Sequence, residues 1–301
     1  AQSLVSVGLP EENLPLVVTV DGKLYFRRHY EYEREVAGKL SERLKRSSSM
    51  PPTGSVEFFS HSLAPQVDRH QALAVGTAML RDLVVLTGGP GTGKTRTIVM
   101  VLAALLQAEP NLGVALAAPT GKAAFRMRES VLQNMNALDL PESIRDALSK
   151  CAQASTLHRL LGSKAGSVDF LRDAKKPLPH DVIVVDEASM VDLPLMAKLC
   201  SALREKTKLI LVGDADQLAP VQGGAVFNGL VRSSASNRFC ATDLSMLSGY
   251  SEVGEEAQGE DFLAGSLVSL SLSHRRAGSP SAAVLGDLCD AVRDGKGEDA
   301  L

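Results

Sequence analysis

A glycine-rich run in the first third of the chain has the residue types and spacing that can hold a polyphosphate. The run consists of Gly88, Gly89, Pro90, Gly91, Thr92, Gly93, Lys94 and Thr95, which fits the pattern G-x-x-x-x-G-K-[ST]. Glycines let consecutive backbone N–H groups face the phosphates, and a helix that begins there adds the positive end of its dipole. We expect Lys94 to reach the β- and γ-phosphates and Thr95 to coordinate Mg²⁺. The run therefore predicts ATP or GTP binding, and a glycine-rich turn without a ligand is the alternative.

Two adjacent carboxylates follow an apolar run at residues 182–185. They are Asp186 and Glu187, and they lie where an open α/β sheet exposes the ligand-binding ends of its strands. Asp186 suits coordination of Mg²⁺, and Glu187 suits polarisation of an attacking water. The pair favours hydrolysis over phosphoryl transfer to a small molecule. The alternative is an acidic pair that caps the next helix.

An amide side chain follows another apolar run, at residues 208–212. Gln217 lies in the sequence Gly-Asp-Ala-Asp-Gln-Leu directly after that run. A neutral amide at a sheet edge can hydrogen-bond a γ-phosphate or its water and respond to the loss of that phosphate, so we predict this role for Gln217. The alternative is a turn in which Asp214 and Asp216 bond the local backbone.

Short apolar runs that alternate with helical patterns predict an α/β core around these residues. The predicted strands are residues 83–86, 114–117, 182–185, 209–212 and 267–272. The first four are continuously apolar, as parallel strands are when both of their faces are buried. Residues 232–261 are rich in Ser, Gly and Glu, which predicts a surface insertion with some helix before the last strand.

The residues that precede this core predict a small α+β unit. The pair Asp21-Gly22 is a strong turn signal between the β-prone runs 16–20 and 23–28, which indicates a hairpin. Over residues 30–46 apolar positions recur every four residues between charges, which predicts an amphipathic helix. The Ser- and Pro-rich residues 47–54 then break the periodicity and indicate a linker.

Composition narrows the class of protein. The chain has 301 residues, of which 45% are hydrophobic and 22% are charged, as in ordinary globular proteins. With a net charge of −3, any contact with nucleic acid must come from a local patch. The 4 cysteines form no C-x-x-C pair, which argues against a zinc ribbon and against a redox motif. No apolar run approaches the roughly 20 residues that span a bilayer, and no signal peptide is recognisable, so we expect a cytoplasmic protein without membrane contact.

The order of the motifs resembles that of superfamily-one DNA helicases, and specifically of the RecD family, the α subunit of exodeoxyribonuclease V. The resemblance runs through most of the chain and rests on GGPGTGKT at 88–95, APTGKAA at 118–124, TLHRLLG at 156–162, VVDEASMVD at 184–192, GDADQLAPVQGGAVF at 213–227 and LSHR at 272–275. It implies a RecA-like P-loop NTPase core whose parallel sheet is flanked by helices. A small α+β N-terminal domain would precede this core, and the start of a second lobe would follow it.

The resemblance also assigns further site residues. Gln71 lies where these helicases place a glutamine that reads the adenine edge, and an exposed amide at the start of a helix is the simple alternative. Arg275 matches the arginine that reaches the γ-phosphate across the cleft, although Arg276 beside it leaves the register open. The residues implied to contact single-stranded DNA are Pro119, Thr120, Gly121, Lys122, Thr156 and His158. Simple helix capping and packing are the alternatives for these residues.

Together with the shifts in composition, the resemblance divides the chain into three parts. Residues 1–54 are expected to be a partial N-terminal domain that contacts a partner, with its linker. Residues 55–232 are expected to form the RecA-like motor domain, with a small basic hairpin insertion near 162–180. Residues 233–301 would hold an insertion and the incomplete start of the second motor lobe. Because the chain ends shortly after Arg275, we expect it to be truncated, to bind nucleotide, to hydrolyse it poorly and not to unwind DNA.

The predicted function is that of an ATP-dependent helicase or translocase subunit that moves 5′ to 3′ on single-stranded DNA. The resemblance implies a RecBCD-type exonuclease V complex in double-strand break repair and recombination, with RecB-like and RecC-like subunits as partners and with ATP and Mg²⁺ as cofactors. The alternatives are a nucleotide-binding assembly subunit without motor activity and a stand-alone long-form RecD helicase. A small-molecule kinase is disfavoured because no acceptor site is recognisable.

Overall fold

The helices and strands are given by a computed structural model that describes residues 5–7, 14–46, 51–52, 54–164, 166–167, 169–217, 224–252, 254–257 and 261–270. The N-terminal elements are β1 (Val5–Val7), β2 (Leu16–Val18), β3 (Leu24–Phe26) and α1 (Arg27–Lys45). The next elements are α2 (Ser55–Phe58), α3 (Arg69–Leu80), β4 (Leu83–Gly88), α4 (Lys94–Ala108), β5 (Val114–Ala118), α5 (Gly121–Ala137), α6 (Glu142–Cys151), β6 (Ala154–Thr156) and α7 (Leu157–Leu161). The remaining ones are β7 (Val182–Val185), α8 (Leu193–Ala202), β8 (Lys208–Gly213), α9 (Val226–Arg232), β9 (Arg238–Phe239), α10 (Ala241–Leu247), β10 (Glu255–Glu256) and β11 (Leu267–Leu270).

Six parallel strands form the central sheet, in the order β11-β4-β8-β7-β5-β6. The strands predicted from continuous apolar runs are confirmed, with small differences at their ends. The polar strand β6 was not predicted, because three half-buried residues carry no apolar run. It adds to the edge of the sheet beside β5. The sheet brings the carboxyl ends of β4, β7 and β8 to one edge, which is where the predicted nucleotide residues follow.

Side chains of the sheet alternate between two apolar layers. Val84 and Leu86 pack with α3, α4, α5 and α6 on one face, whereas Leu83 and Val85 pack with α1, α7 and α8 on the other. Both faces are therefore covered by helices, which explains why the central strands β4, β5, β7 and β8 are largely apolar on both faces. This is the predicted α/β class, a parallel sheet flanked by helices on both faces.

The N-terminal hairpin and helix form close to their predicted positions. β2 and β3 pair antiparallel, and the turn between them contains Gly22 at φ 80°. α1 buries Val36 and Leu40 in the same apolar layer as β4 and α8. The helix of the predicted N-terminal unit thus packs directly on the sheet domain. Among the described residues, no helix combines the length and the apolar character that crossing a membrane requires.

The residues after β8 differ from the predicted division in one respect. The predicted insertion contains α10 and the two-residue strands β9 and β10, which pair with each other. β11 lies within the predicted C-terminal part, yet it pairs parallel with β4, Leu267 opposite Val85 and Leu270 opposite Gly88. It therefore completes the first sheet. The end of the predicted strand, residues 271–272, lies outside the described residues.

Candidate functional site

The predicted phosphate loop joins β4 to α4 at the carboxyl edge of the sheet. Gly91 and Gly93 have φ values of 81° and 85°, in the left-handed region that favours glycine. A Cβ atom on Gly88 would lie 2.7 Å from the Thr92 hydroxyl and 2.9 Å from the carbonyl oxygen of Leu270. The loop can curl this tightly only because these positions lack side chains.

Lys94 turns its side chain back over this loop. Its ammonium donates to the carbonyl oxygens of Gly88, at 2.6 Å, and of Gly89, at 3.0 Å. Thr95 lies half-buried in the first turn of α4, and Pro90 is exposed at the tip of the loop. The ammonium of Lys94 therefore lies against the backbone of the phosphate loop.

Asp186 follows β7, two strands from β4 across the sheet. Its N–H donates to the carbonyl oxygen of Ala117 at 2.9 Å, and its carboxylate accepts the N–H of Glu187 at 2.9 Å. Burial raises the pKa of Asp186 to about 6, the charge of Glu187 adds to the rise, and the charge of Lys94 opposes it. The charge of Lys94 therefore lowers the pKa of this carboxylate much less than burial raises it.

Glu187 has an unusual backbone conformation, with φ 52° and ψ 39°. Among the described residues that are not glycine, only Glu187 and Asn237 have positive φ. Such a conformation costs on the order of 1–3 kcal/mol and persists only where the surroundings impose it, often at functional sites. Here it lets the chain leave β7 and enter the short 3₁₀ turn Ala188–Met190.

Gln217 contacts this same turn. Its Oε1 lies 3.5 Å from the hydroxyl of Ser189, which is two residues beyond Glu187. The simple alternative for this segment was a turn in which aspartates bond the local backbone. Such a bond is present, because the Asp214 carboxylate accepts the N–H of Asp216 at 3.0 Å. Gln217 therefore combines an ordinary turn position with a contact to the segment that carries the acidic pair.

Gln71 belongs to a capping box at the start of α3. The Asp68 carboxylate accepts the N–H groups of His70, at 2.8 Å, and of Gln71, at 3.0 Å, while Oε1 of Gln71 accepts the N–H of Asp68 at 3.2 Å. The side chain is 1% exposed, and its Nε2 has no hydrogen-bond partner among the described residues. The simple alternative is therefore right about the helix start and wrong about exposure, because packing around α3 buries the amide. The capping box leaves a buried donor unused, which is uncommon without a ligand.

The residues implied to face DNA lie side by side along the same edge. Ala118 of β5 pairs with Thr156 of β6, so the two motifs that follow these strands are neighbours. The hydroxyl of Thr120 caps α5 by accepting the N–H of Ala123 at 3.2 Å. Pro119 lies just before this cap, and the exposed Gly121 and Lys122 begin the helix.

The second of these motifs caps a shorter helix. The hydroxyl of Thr156 accepts the N–H of Arg159 at 3.2 Å. His158 is exposed, and its ring lies 5.7 Å from the ring of Phe170, in the region of the predicted basic insertion. Arg275, the predicted cleft-crossing arginine, lies outside the described residues.

Comparison with known proteins bears directly on this arrangement. The AAA domain family matches residues 71–223, which is just over half of the chain and runs from the α3 glutamine past the β8 loop. The chain belongs to the AAA domain family. Its matched range includes every predicted site residue except Arg275.

Individual relatives of this AAA domain chain carry the name RecBCD enzyme subunit RecD. The protein of Mycobacterium tuberculosis is 46% identical over 216 residues, which are 70% of this chain and 36% of the relative. That of Haemophilus influenzae is 37% identical over 225 residues, 70% of this chain and 34% of the relative. The ATP-dependent RecD2 DNA helicase of Deinococcus radiodurans is 32% identical over 243 residues, 77% of this chain and 30% of that protein. The chain spans about a third of the length of these relatives, and they confirm its resemblance to the RecD family.

One exposed residue of the AAA domain was missed by motif reasoning. Phe125 is 59% exposed on α5, three residues after Lys122, and its exposed neighbours on the helix include Arg126 and Arg128. The signal was available, because the buried face of α5 consists of Ala124, Met127, Val131 and Met135. A helical wheel places Phe125 outside this buried face, on the side of the helix that also carries Lys122 and Glu129.

Proposed function

We propose that this chain is the ATP-hydrolysing motor core of a RecD-type DNA helicase subunit. The parent protein would move 5′ to 3′ along single-stranded DNA within a RecBCD-type exonuclease V complex that acts in double-strand break repair and recombination. The observation that carries the proposal is the strand order, in which the phosphate loop follows β4 and Asp186 and Glu187 follow β7, two strands away at the same edge of the sheet. The relatives named RecD support the helicase assignment.

The residues around Lys94 suit the binding of a magnesium–triphosphate. Lys94 would exchange its two carbonyl contacts for oxygens of the β- and γ-phosphates. The Thr95 hydroxyl and the Asp186 carboxylate would hold Mg²⁺, which prefers oxygen ligands and supplies positive charge between the two phosphates. The raised pKa of Asp186 supports this fit, because a buried carboxylate with little positive charge nearby gains from an adjacent cation.

Glu187 and Gln217 suit the hydrolytic step. A carboxylate at the strand end can align a water against the γ-phosphorus and accept its proton. Gln217 would bond the γ-phosphate or that water, and its contact with Ser189 connects it to the segment of Glu187. Loss of the phosphate would then change both segments together. In this proposal Arg275 completes the site from the second lobe.

Gln71 supports adenine as the base. A glutamine amide can pair with both N6 and N7 of adenine, donating through Nε2 and accepting through Oε1. In the chain Nε2 is the buried donor without a partner, and Oε1 uses one of its two lone pairs for the N–H of Asp68. This donor and acceptor pattern does not match guanine, so we propose ATP rather than GTP.

The edge beside β5 and β6 suits single-stranded DNA. The exposed residues Thr120, Gly121 and Lys122 offer backbone N–H groups and an ammonium at the N-terminal end of a 17-residue helix, which favours a phosphate. Thr156 and His158 lie next to them through the pairing of β5 with β6. Because the net charge is −3, the basic residues at the start of α5 would supply the local attraction that the whole chain lacks.

The N-terminal hairpin suits a protein partner. Val20, Leu24 and Phe26 are 95%, 64% and 68% exposed, which is unusual for apolar side chains this close together in sequence. We propose that this surface contacts the RecC-like subunit of a complex that also contains a RecB-like subunit, in the cytoplasm. The three-part division of the chain belongs to the same proposal, with the first lobe extended to include β11.

The decisive experiment measures ATP hydrolysis by the full-length parent protein with and without single-stranded DNA. We expect DNA to stimulate turnover and Lys94→Gln to abolish it, since the ammonium is lost while the loop glycines remain. Lys45→Ala, which alters an exposed lysine of α1, serves as the control and should hydrolyse ATP like the wild type. Turnover that ignores DNA would contradict a motor function.

Two alternatives are tested by the same variants. The exposed hairpin favours an assembly subunit without motor activity, in which case Lys94→Gln would leave both turnover by the complex and its assembly unchanged. The relative named RecD2 helicase favours a stand-alone helicase. Replacement of Val20, Leu24 and Phe26 by serine would then leave unwinding unaffected, whereas the proposed complex should lose the RecC-like subunit.

A further inference from the structure

Residues 241–251, here called the α10 segment, pack along the helix that carries Gln71. The segment consists of α10 and the turn after it, and it lies between β9 and β10 in the chain. It contacts α3 near the first turn, in the middle and at the residue that ends the helix. Three separated contacts fix both the position of a helix and its rotation.

The first contact is next to Gln71. The hydroxyl of Ser251 donates to the carbonyl oxygen of Arg69 at 2.8 Å. Arg69 is the first residue of α3, and Gln71 follows it by two positions. The hydroxyl of the buried Tyr250 also forms a 2.8 Å hydrogen bond with the hydroxyl of Ser55 in α2. The turn of the α10 segment is therefore bound both to α3 and to the helix before it.

The second contact is a close approach at Gly76. A Cβ atom at this position would lie 2.7 Å from Cδ2 of Leu247 and 2.9 Å from Cβ of Tyr250. Glycine thus lets the α10 segment rest directly on the backbone of α3. The ring of Tyr250 also packs on the ring of Phe59, with centroids 5.1 Å apart.

The third contact is a buried ion pair. The guanidinium of Arg81, which ends α3, pairs with the carboxylate of Asp243 in α10. The same guanidinium donates through Nε to the carbonyl oxygen of Gly265 at 3.2 Å, in the turn before β11. The C-terminal end of α3 is therefore tied both to the α10 segment and to the edge of the sheet.

We infer that the α10 segment positions Gln71 and thereby sets the preference of the nucleotide site for adenine over guanine. The inference rests on the role proposed for Gln71. Base recognition by an amide needs a geometry held to within about 0.5 Å. The capping box fixes Gln71 within α3, and α3 itself packs directly on α4, β4 and β11. The α10 segment adds the Ser251 bond two residues from Gln71, which constrains the first turn of α3 where the amide begins. Ser251 acts through Gln71 and is a positioning residue.

The test compares the dissociation constants of magnesium–ATP and magnesium–GTP for the whole chain and its variants. Ser251→Ala removes the hydrogen bond to Arg69. We expect the preference for ATP over GTP to fall about two- to tenfold, the effect of one hydrogen bond, while GTP affinity and the melting temperature stay close to the wild type. Ser248→Ala is the matched control, because its hydroxyl donates to the carbonyl oxygen of Ser245 at 2.7 Å within the α10 segment. This control should keep the wild-type preference.

Gln71→Ala separates failure of the inference from failure of the proposed function. If Gln71→Ala keeps the preference for ATP, the proposed role of Gln71 is wrong. If Gln71→Ala loses the preference but Ser251→Ala keeps it, the α10 segment does not position the amide. An equal loss of ATP and GTP affinity in Ser251→Ala would also overturn the inference. Should that variant not fold, Tyr250→Phe removes only the hydroxyl bond to Ser55 and must shift the preference in the same direction.

Discussion

Burial makes the charged form of the Asp186 carboxylate unfavourable. The carboxylate is buried beside Glu187, and the hydrogen bond from the Glu187 N–H together with the charge of Lys94 does not compensate for the lost water. The result is a pKa raised to about 6. Carboxylates with strongly raised pKa values are common at functional sites. The raised pKa of Asp186 also predicts how the stability of the chain depends on pH.

We expect Asp186→Asn to stabilise the nucleotide-free chain at pH 7.5. The pKa of about 6 in the folded chain lies above the ordinary value of 3.8, so the folded state binds this proton more tightly than the unfolded state does. The free energy of unfolding is therefore highest below pH 4, where the carboxyl is protonated in both states, and it falls as the pH rises through 6. Asparagine avoids the loss, so the free energy of unfolding should rise by about 1–3 kcal/mol at pH 7.5 and converge with the wild type near pH 4. Urea titrations across that range measure it. Asp146→Asn, at an exposed position of α6, controls for loss of charge, and a less stable Asp186→Asn at pH 7.5 would refute the argument.

Gly88 and Gly89 are adjacent, yet they differ in what a side chain would meet. We expect Gly88→Ala to lower the free energy of unfolding by about 1–3 kcal/mol, because its Cβ would press on the backbone oxygen of Leu270 in β11. Gly89→Ala has nothing within 4 Å of its Cβ and should change stability by less than about 0.5 kcal/mol. Chemical denaturation of both variants makes the comparison. Equal effects would contradict the close approach of β11 to the loop.

Sequence motifs predicted the residues of the phosphate loop and the acidic pair, because their chemistry depends on local spacing. They did not reveal that Gln71 both caps α3 and leaves Nε2 without a partner, since burial of that amide depends on packing around α3. The positive φ of Glu187 was equally out of reach, because it is imposed by the neighbours of β7. Individual conformations of site residues therefore required the structure.

At the scale of elements, the strength of the apolar pattern decided what could be predicted. Strands buried on both faces gave continuous apolar runs, and they were found with small errors at their ends. β6, β9 and β10 have only two or three residues each, most of them half-buried or exposed, and they carried no such run. α3 is buried on all sides, so it shows little of the polar and apolar alternation that marks a surface helix. The spacing of apolar residues reports which faces of an element are buried. Short strands without a continuous apolar run were therefore missed.

α5 presents an aromatic and a cationic side chain on one exposed face, and the two should contribute to DNA binding in different ways. We expect Phe125→Ala to weaken binding of single-stranded DNA by about 1–3 kcal/mol without changing its salt dependence, because a ring stacks on bases. Lys122→Ala should reduce the salt slope by about one, because its ammonium neutralises a phosphate. Fluorescence anisotropy at several salt concentrations separates the two effects. Phe262→Ala, also at an exposed phenylalanine, is the control, and equal losses for both phenylalanines would rule out a specific stack.

At the scale of the whole molecule, contacts distant in sequence join the predicted parts. α1 comes from the predicted N-terminal unit, but Val36 and Leu40 lie in the apolar layer that contains Leu83 and Val85 of β4. β11 comes from the predicted C-terminal part and closes the first sheet. Neither contact has a local signature, because each depends on which surfaces the remaining elements leave open. Boundaries drawn from composition therefore need not be boundaries of cooperative unfolding.

Arg43 provides the test of that cooperativity. Its buried guanidinium donates to the carbonyl oxygens of Lys39, at 3.2 Å, and of Arg204, at 2.8 Å, and so joins α1 to the residues after α8. We expect Arg43→Ala to destabilise the chain by about 2–4 kcal/mol, since it removes two hydrogen bonds together with the packing of a buried side chain. Hydrogen exchange should show faster opening of α1 and α4 amides together, by the same factor. Lys45→Ala, at the exposed end of α1, should change neither. Faster exchange confined to α1 would mean that the N-terminal unit unfolds independently of the sheet.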